Sequence, residues 1–244
     1  MVFFTSWHIK HRQQFFAPLL PPGAMCFDIG ANHGEFAATF LSLGARRVVA
    51  VEPQPEIANF IIQAFPKEIE SGTLIVKIQA IGSATGVAKL FPANDPGKSM
   101  SSLSATFIEV SRAGGRVWND SAAIEVAVGT LDALIKDFGI PDYIKIDVEG
   151  FDLEVLQGLS RPIALLSFEF NTQPGLLEIA ARCISHVESL GRYEFNYEAE
   201  APGQTSLQFE QWVSAGAMSY TLRHDIAREA VFGDIFARLK SGKE

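Results

Sequence analysis

Apolar positions along the chain follow two rhythms that alternate. Ala24–Ile29 and Arg47–Glu52 are short, nearly unbroken runs of Ala, Val, Ile and Phe, the pattern of strands covered on both faces. Between them Phe36, Phe40 and Leu43 recur at helical spacing, and Gly44 supplies a stop. Pro55 opens a second helix with Ile57, Phe60, Ile61, Ala64 and Phe65 on one side. Thr73–Ala80 reads as a third strand. After a gap the alternation resumes, with Leu131, Leu134, Ile135 and Phe138 marking a helix and Tyr143–Asp147 a strand. A short helix over 152–159 leads to a buried strand over Ile163–Phe170. Leu177, Ala180, Ile184, Val187 and Leu190 mark a long helix, and Tyr193–Tyr197 another strand. Near the end, Met218–Leu222 looks weakly β-like. Phe232, Ile235, Phe236 and Leu239 fall at helical spacing, as core or as the seam of a homodimer. Strand–helix alternation of this kind predicts an α/β, Rossmann-like fold, a mostly parallel sheet with helices on both faces.

Residues 83–128 break the rhythm. Val87–Phe91 and Ile124–Val128 look like strands, but Pro92–Ser104 and Gly114-Gly115 are rich in Gly, Ser and Pro. This stretch reads as a loop-like insertion, a usual place for function. The expected organisation is one domain over 1–244, with a core of about 24–200. Residues 1–23 would be an N-terminal lid, with Trp7, His8, Phe15 and Phe16 over the site, or a helix packed on the sheet.

Composition narrows the function classes. Apolar residues make up 48% of the 244, enough for a self-sufficient core. Asp and Glu number 28 against 20 Lys and Arg, a formal charge of -8, which disfavours a nucleic-acid partner. Two cysteines, Cys26 and Cys183, fit a reduced compartment, and there is neither a signal-peptide core nor an apolar run of membrane-spanning length. A cytoplasmic protein with no membrane partner is the expectation.

The chemistry concentrates where the first strand meets its helix, Phe27-Asp28-Ile29-Gly30-Ala31-Asn32-His33-Gly34. Gly30 permits a tight turn and close approach of a ligand to the backbone. The spacing D-x-G-x-x-x-G departs from the dinucleotide fingerprint G-x-G-x-x-G. An acid at position 28 would repel a pyrophosphate at the helix N-terminus but can accept hydrogen bonds from an ammonium group. Glu52 ends the second strand, where an acid can hold ribose hydroxyls. His33, at the start of the helix, is a loop residue or a neutral proton acceptor.

Together these residues resemble the nucleoside-binding half of a class I S-adenosylmethionine-dependent methyltransferase. Three further pieces narrow the resemblance to the FkbM type: Thr130-Leu131-Asp132, then Lys145-Ile146-Asp147-Val148-Glu149-Gly150, then Glu154 to Gly158. Ser101-Ser102-Leu103 is similar to that family's short serine motif. The resemblance implies a seven-stranded sheet with one antiparallel strand and methylation of a hydroxyl on a small molecule or glycan. It places Asp28, Gly30, Asn32 and Gly34 at the methionine end of the cofactor, Glu52 on the ribose, and Ala80 and Ile81 beside the adenine, with Gln79 as the only polar residue near it. Asp147 and Glu149, at the tip of the Tyr143–Asp147 strand, are the candidates for general base, with Asp147 alternatively orienting the cofactor's ammonium. No metal is expected; the minor alternative is Mg²⁺ held by Asp147, Glu169 and Asn171. Competing readings are an NAD(P)-dependent oxidoreductase of similar sheet class, a non-catalytic nucleoside-binding relative, and an RNA or protein methyltransferase.

Overall fold

A computed structural model describes residues 6–94, 100–199, 206–229 and 231–240. In chain order its elements are α1 (Ser6–Phe16), β1 (Met25–Ile29), α2 (Glu35–Ser42), β2 (Arg47–Val51), α3 (Pro55–Ala64), α4 (Pro66–Glu70), β3 (Leu74–Lys77), β4 (Ala80–Ile81), β5 (Gly86–Pro92) and β6 (Ser101–Ser102). They continue with α5 (Ala105–Ala113), β7 (Ile124–Gly129), α6 (Leu131–Phe138), β8 (Tyr143–Ile146), α7 (Asp152–Gln157), β9 (Leu165–Asn171), α8 (Leu176–Leu190), β10 (Tyr193–Ala199), α9 (Ala215–His224) and β11 (Phe232–Leu239). No helix among these is long and apolar enough to cross a membrane.

The main sheet has seven strands in the order β10-β11-β9-β8-β1-β2-β3. β3, β2, β1, β8 and β9 are parallel, and β11 lies antiparallel between β9 and β10. The strand order turns around at β1, whose neighbours are β2 and β8, so ligands are expected outside the carboxyl ends of these three.

Side-chain alternation along the strands feeds two cores. Phe27, Ile29, Ile144, Ile146 and Phe168 meet α6, α7, α8 and α9 on one face. Cys26, Val48, Ala50, Tyr143 and Phe236 meet α1, α2 and Ile61 of α3 on the other. Phe16 sits in the second core, edge-on to Phe40 at 5.4 Å and against Tyr143 at 5.6 Å. α1 is therefore anchored to the sheet by its C-terminal Phe15-Phe16 pair; the Trp7 and His8 side chains lie outside the described residues.

Four elements differ from the sequence reading. Phe232–Leu239 is the strand β11 and not a helix. Met218–Leu222 lies within the helix α9, whose N-cap Ser214 accepts the amide of Ala217. Thr73–Ala80 is not one strand: β3 stops at Lys77, and Ala80–Ile81 pairs with β7 in a second sheet of order β4-β7-β5-β6. Within 83–128 the two expected strands are present as β5 and β7, while β6 and α5 stand where only loop was expected. Ser104 caps α5 by accepting the amide of Phe107.

Candidate functional site

One cleft opens where the ends of β1, β2 and β8 face the second sheet. It encloses about 660 Å³ including its open mouth, and Gly30, Asn32, Glu52, Asp147 and Glu149 line its polar side. Ala80, Ile81, Leu90, Leu103 and Phe151 form an apolar wall opposite, with Gln54, Gln79 and Ser101 at its edges.

The backbone explains the glycine at the bottom. Asp147 donates its amide to the carbonyl of Ile29 at 2.9 Å, pressing the β8 end against the β1 turn. Gly30 has φ 84°, and a Cβ there would stand 1.8 Å from the Asp147 carbonyl oxygen. No side chain fits.

Glu52 is buried, 5% exposed, and receives two amides: Asn32 N at 3.0 Å on Oε2 and Gln54 N at 2.8 Å on Oε1. Burial pushes its carboxyl up to about 7 against these bonds. Asn32 has φ 48° and Glu149 φ 54°, the non-glycine residues with positive φ among those described. Both line the cleft. Such conformations cost about 1–2 kcal/mol each and gather at functional sites.

Asp147 is salt-bridged to Lys145, Nζ to Oδ2 at 2.7 Å. Lys145 is buried, with its ammonium 4.2 Å from the centre of the Phe36 ring. Burial alone would lower it, but Asp147, Asp234 and Asp28 hold it well above the usual range. Asp28 stands opposite Lys145 in the β1–β8 register. Burial raises the Asp28 carboxyl to about 6, Lys145 opposing. Glu149 is raised to about 8, first by burial and then by Asp147 and Asp152. Burial and then Asp147 raise Asp152 to about 8, and burial followed by Asp147, Glu149 and Asp152 raises Glu169 well above its ordinary value.

Not every expected residue reaches the cleft. Asp28 lies under α2, 1% exposed, with Oδ2 unpaired by hydrogen bonds. Gly34 is the left-handed N-cap of α2, packed near Ile61 and Phe65. His33 stacks edge-on against Phe60, ring centres 5.3 Å apart. The structure gives the Mg²⁺ set no support. Asp147 holds Lys145, Asn171 accepts the amide of Gln173 at 3.0 Å, and no metal-binding group of His, Cys, Asp or Glu exists among the described residues. Gln54, Leu90 and Phe151 were not picked out from sequence, and Leu103 and Lys145 stood there only within motifs, with no role assigned. Lys145 carried a signal, a charge inside an apolar strand two residues before an acid.

The sequence pattern of the Methyltransferase FkbM domain matches residues 28–197. Among solved structures, Methyltransferase FkbM from Methylobacillus flagellatus KT superposes with a TM-score of 0.51 at 17% identity over 80% of this chain. This chain covers 46% of that one, under half its length. A protein in the NADB-Rossmann superfamily from Streptococcus agalactiae gives 0.50 at 8% identity, over 100% of this chain and 72% of the other. Precorrin-6y C5,15-methyltransferase from Geobacter metallireducens GS-15 gives 0.49 at 12%, over 98% and 90%. No curated protein sequence matches.

Proposed function

The chain belongs to the FkbM methyltransferase family, and from that premise we propose that it uses S-adenosylmethionine to methylate a hydroxyl on a small molecule or sugar. The observation that carries this reading is Glu52, a buried carboxylate at the tip of β2 fixed by two backbone amides at the cleft wall.

The cleft's donor set fits the cofactor. A nucleoside bearing an amino acid needs polar groups at one end and an apolar slot at the other. Gly30, Asn32 and Asp147 supply the first, and Ile81, Leu90, Leu103 and Phe151 the second. Gln79 offers an amide at the slot's edge. When bound, the cofactor's sulfonium supplies an electrophilic methyl group. Glu52 takes the ribose hydroxyls, and its Asn32 and Gln54 bonds keep both oxygens oriented towards the cleft wall. The apolar wall excludes water from the purine side.

The two candidate bases separate by environment. Asp147 spends an oxygen on Lys145 and is suited to orienting an ammonium. Glu149, raised to about 8, is a stronger base than an ordinary carboxylate and takes the acceptor's proton. General-base help of this kind contributes about 10²–10⁴-fold. The acceptor is a small hydroxyl compound, free of nucleic acid and membrane, and the protein works in the cytoplasm.

Calorimetric titration with S-adenosylmethionine, S-adenosylhomocysteine and NAD⁺ tests the reading. Micromolar binding of both sulfur nucleosides is expected, lost in Glu52→Ala and absent for NAD⁺. Binding of NAD⁺ alone would replace a methyltransferase with an oxidoreductase.

A further inference from the structure

The turn that carries Glu149 is not held by its own residues. Glu149 and Gly150 are consecutive left-handed positions, φ 54° and 83°. For a glutamate that conformation is uncommon and costs about 1–2 kcal/mol, a cost that a contact from outside the turn can offset. That contact comes from the inserted segment. Ser102, 1% exposed, donates its hydroxyl to the Glu149 carbonyl at 2.7 Å. The same oxygen accepts the amide of Ser104 at 2.9 Å. A hydroxyl has one proton, so the Ser104 amide fixes which way the Ser102 proton points. Two residues further, the Ser104 side chain caps α5 and thereby sets Phe107. A Cβ at position 150 would lie 2.7 Å from the Phe107 Cβ, so this segment is moulded around the turn. Ser101 next door lines the cleft and accepts Nε2 of Gln54 at 3.1 Å, tying the same strand to the Glu52 side.

We propose that Ser102 is a positioning residue for Glu149: its hydroxyl holds the Glu149 carbonyl, and the left-handed turn so fixed presents the Glu149 side chain to the cleft. The geometry stands by itself; its use in proton removal rests on the methyltransferase reading above. Ser102 does not line the cleft, whereas its neighbours Ser101 and Leu103 do. Ser102→Ala removes the donor without adding bulk, Ser102→Thr keeps a hydroxyl, and Ser104→Ala removes the α5 cap but leaves the Ser104 amide.

The test is ¹⁵N-glutamate-labelled full-length protein, with the Glu149 amide peak identified by its loss in Glu149→Gln. Ser102→Ala is expected to move or split that peak, Ser102→Thr to return it to its wild-type place, and Ser104→Ala to leave it. S-adenosylmethionine affinity, measured by calorimetry, should stay within about twofold in Ser102→Ala. An unmoved peak in Ser102→Ala overturns the proposal. So does an equal shift in Ser104→Ala, which would make the effect general packing. Loss of cofactor binding in Ser102→Ala alone overturns it too, by placing the serine in the pocket's own folding. Should Ser102→Ala not fold, Ser102→Cys, a much weaker donor of similar size, gives the same readout. If the wild type itself fails to bind S-adenosylmethionine, the cofactor reading falls, while the peak comparison still decides the role of Ser102.

Discussion

At the scale of single residues, the site is a set of acids kept apart by what each one touches. Glu52 shows this best. Burial has lifted its carboxyl to about 7, so near neutrality it is only partly ionised in the ligand-free protein. The ionised form is the better acceptor for ribose hydroxyls. S-adenosylmethionine affinity should therefore rise from pH 6 to pH 8 by roughly tenfold, and Glu52→Gln should bind more weakly with no such rise. Calorimetry across that range checks it, and a flat wild-type profile would remove Glu52 from the ribose. Lys145 shows the opposite arrangement, a buried cation between Asp147 and Asp28. Lys145→Met should destabilise by about 1–3 kcal/mol, because it takes the facing cation from buried Asp28, while Asp147, with its side chain 40% exposed, falls back on solvent. Asp28→Asn in the same chain should recover part of the loss, a coupling that urea unfolding of the two singles and the double would read. The glycine turn and Glu52 were legible because residue type and spacing specify them. Asp28 and Gly34 sit in that same motif, yet spacing encodes neither the side-chain direction that turns Asp28 under α2 nor the left-handed backbone that makes Gly34 its cap.

At the scale of elements, the misreading of β11 comes from burial on both faces. β11 lies between β9 and β10, with Gly233, Ile235, Phe236 and Ala237 all buried. A strand covered twice loses its alternation, and Phe232, Ile235, Phe236 and Leu239 then imitate a helical stripe. The α9 misreading has the reverse origin: Ser, Tyr and Thr dilute its apolar face, while the capping Ser214 was the overlooked start signal. Close backbone approaches were hidden as well. A Cβ on Gly158, just past α7, would stand 2.3 Å from the carbonyl oxygen of Gly82, where the end of β4 in the second sheet meets the turn after α7. Backbone cannot step aside as a flexible side chain can. Gly158→Ala should cost at least about 2 kcal/mol by urea unfolding. Gly44→Ala, with φ 80° but open space around it, should cost only about 1 kcal/mol. Equal losses at the two sites would mean that the contact between Gly82 and the turn after α7 yields.

At the scale of the whole molecule, the order of strands decides where chemistry can occur, and the crowding of acids there sets how stability depends on pH. β1 lies between β2 and β8, and the second sheet roofs the carboxyl ends of these strands, so charged groups collect in a partly dry space. Asp28, Glu52, Glu149 and Asp152 are raised to about 6, 7, 8 and 8. The unfolded chain releases these protons near pH 4, whereas the folded chain retains them to between pH 6 and 8. In that window the native state binds more protons than the unfolded one, so stability falls as pH rises. The formal charge of -8 acts in the same direction through self-repulsion. The ligand-free melting temperature should therefore be several degrees higher at pH 5.5 than at pH 8. A cofactor that favours ionised Glu52 works against this trend. At a hundred times its Kd, S-adenosylmethionine should add about 2.7 kcal/mol, or roughly 5–10 °C for a chain of this size. At one fixed concentration the gain should grow from pH 6 to pH 8, because affinity rises while the ligand-free fold weakens. Melting curves with and without cofactor at the two pH values test both arms. A gain that shrinks towards pH 8 would mean that the cofactor meets a protonated Glu52, and that the ribose contact is made by another group.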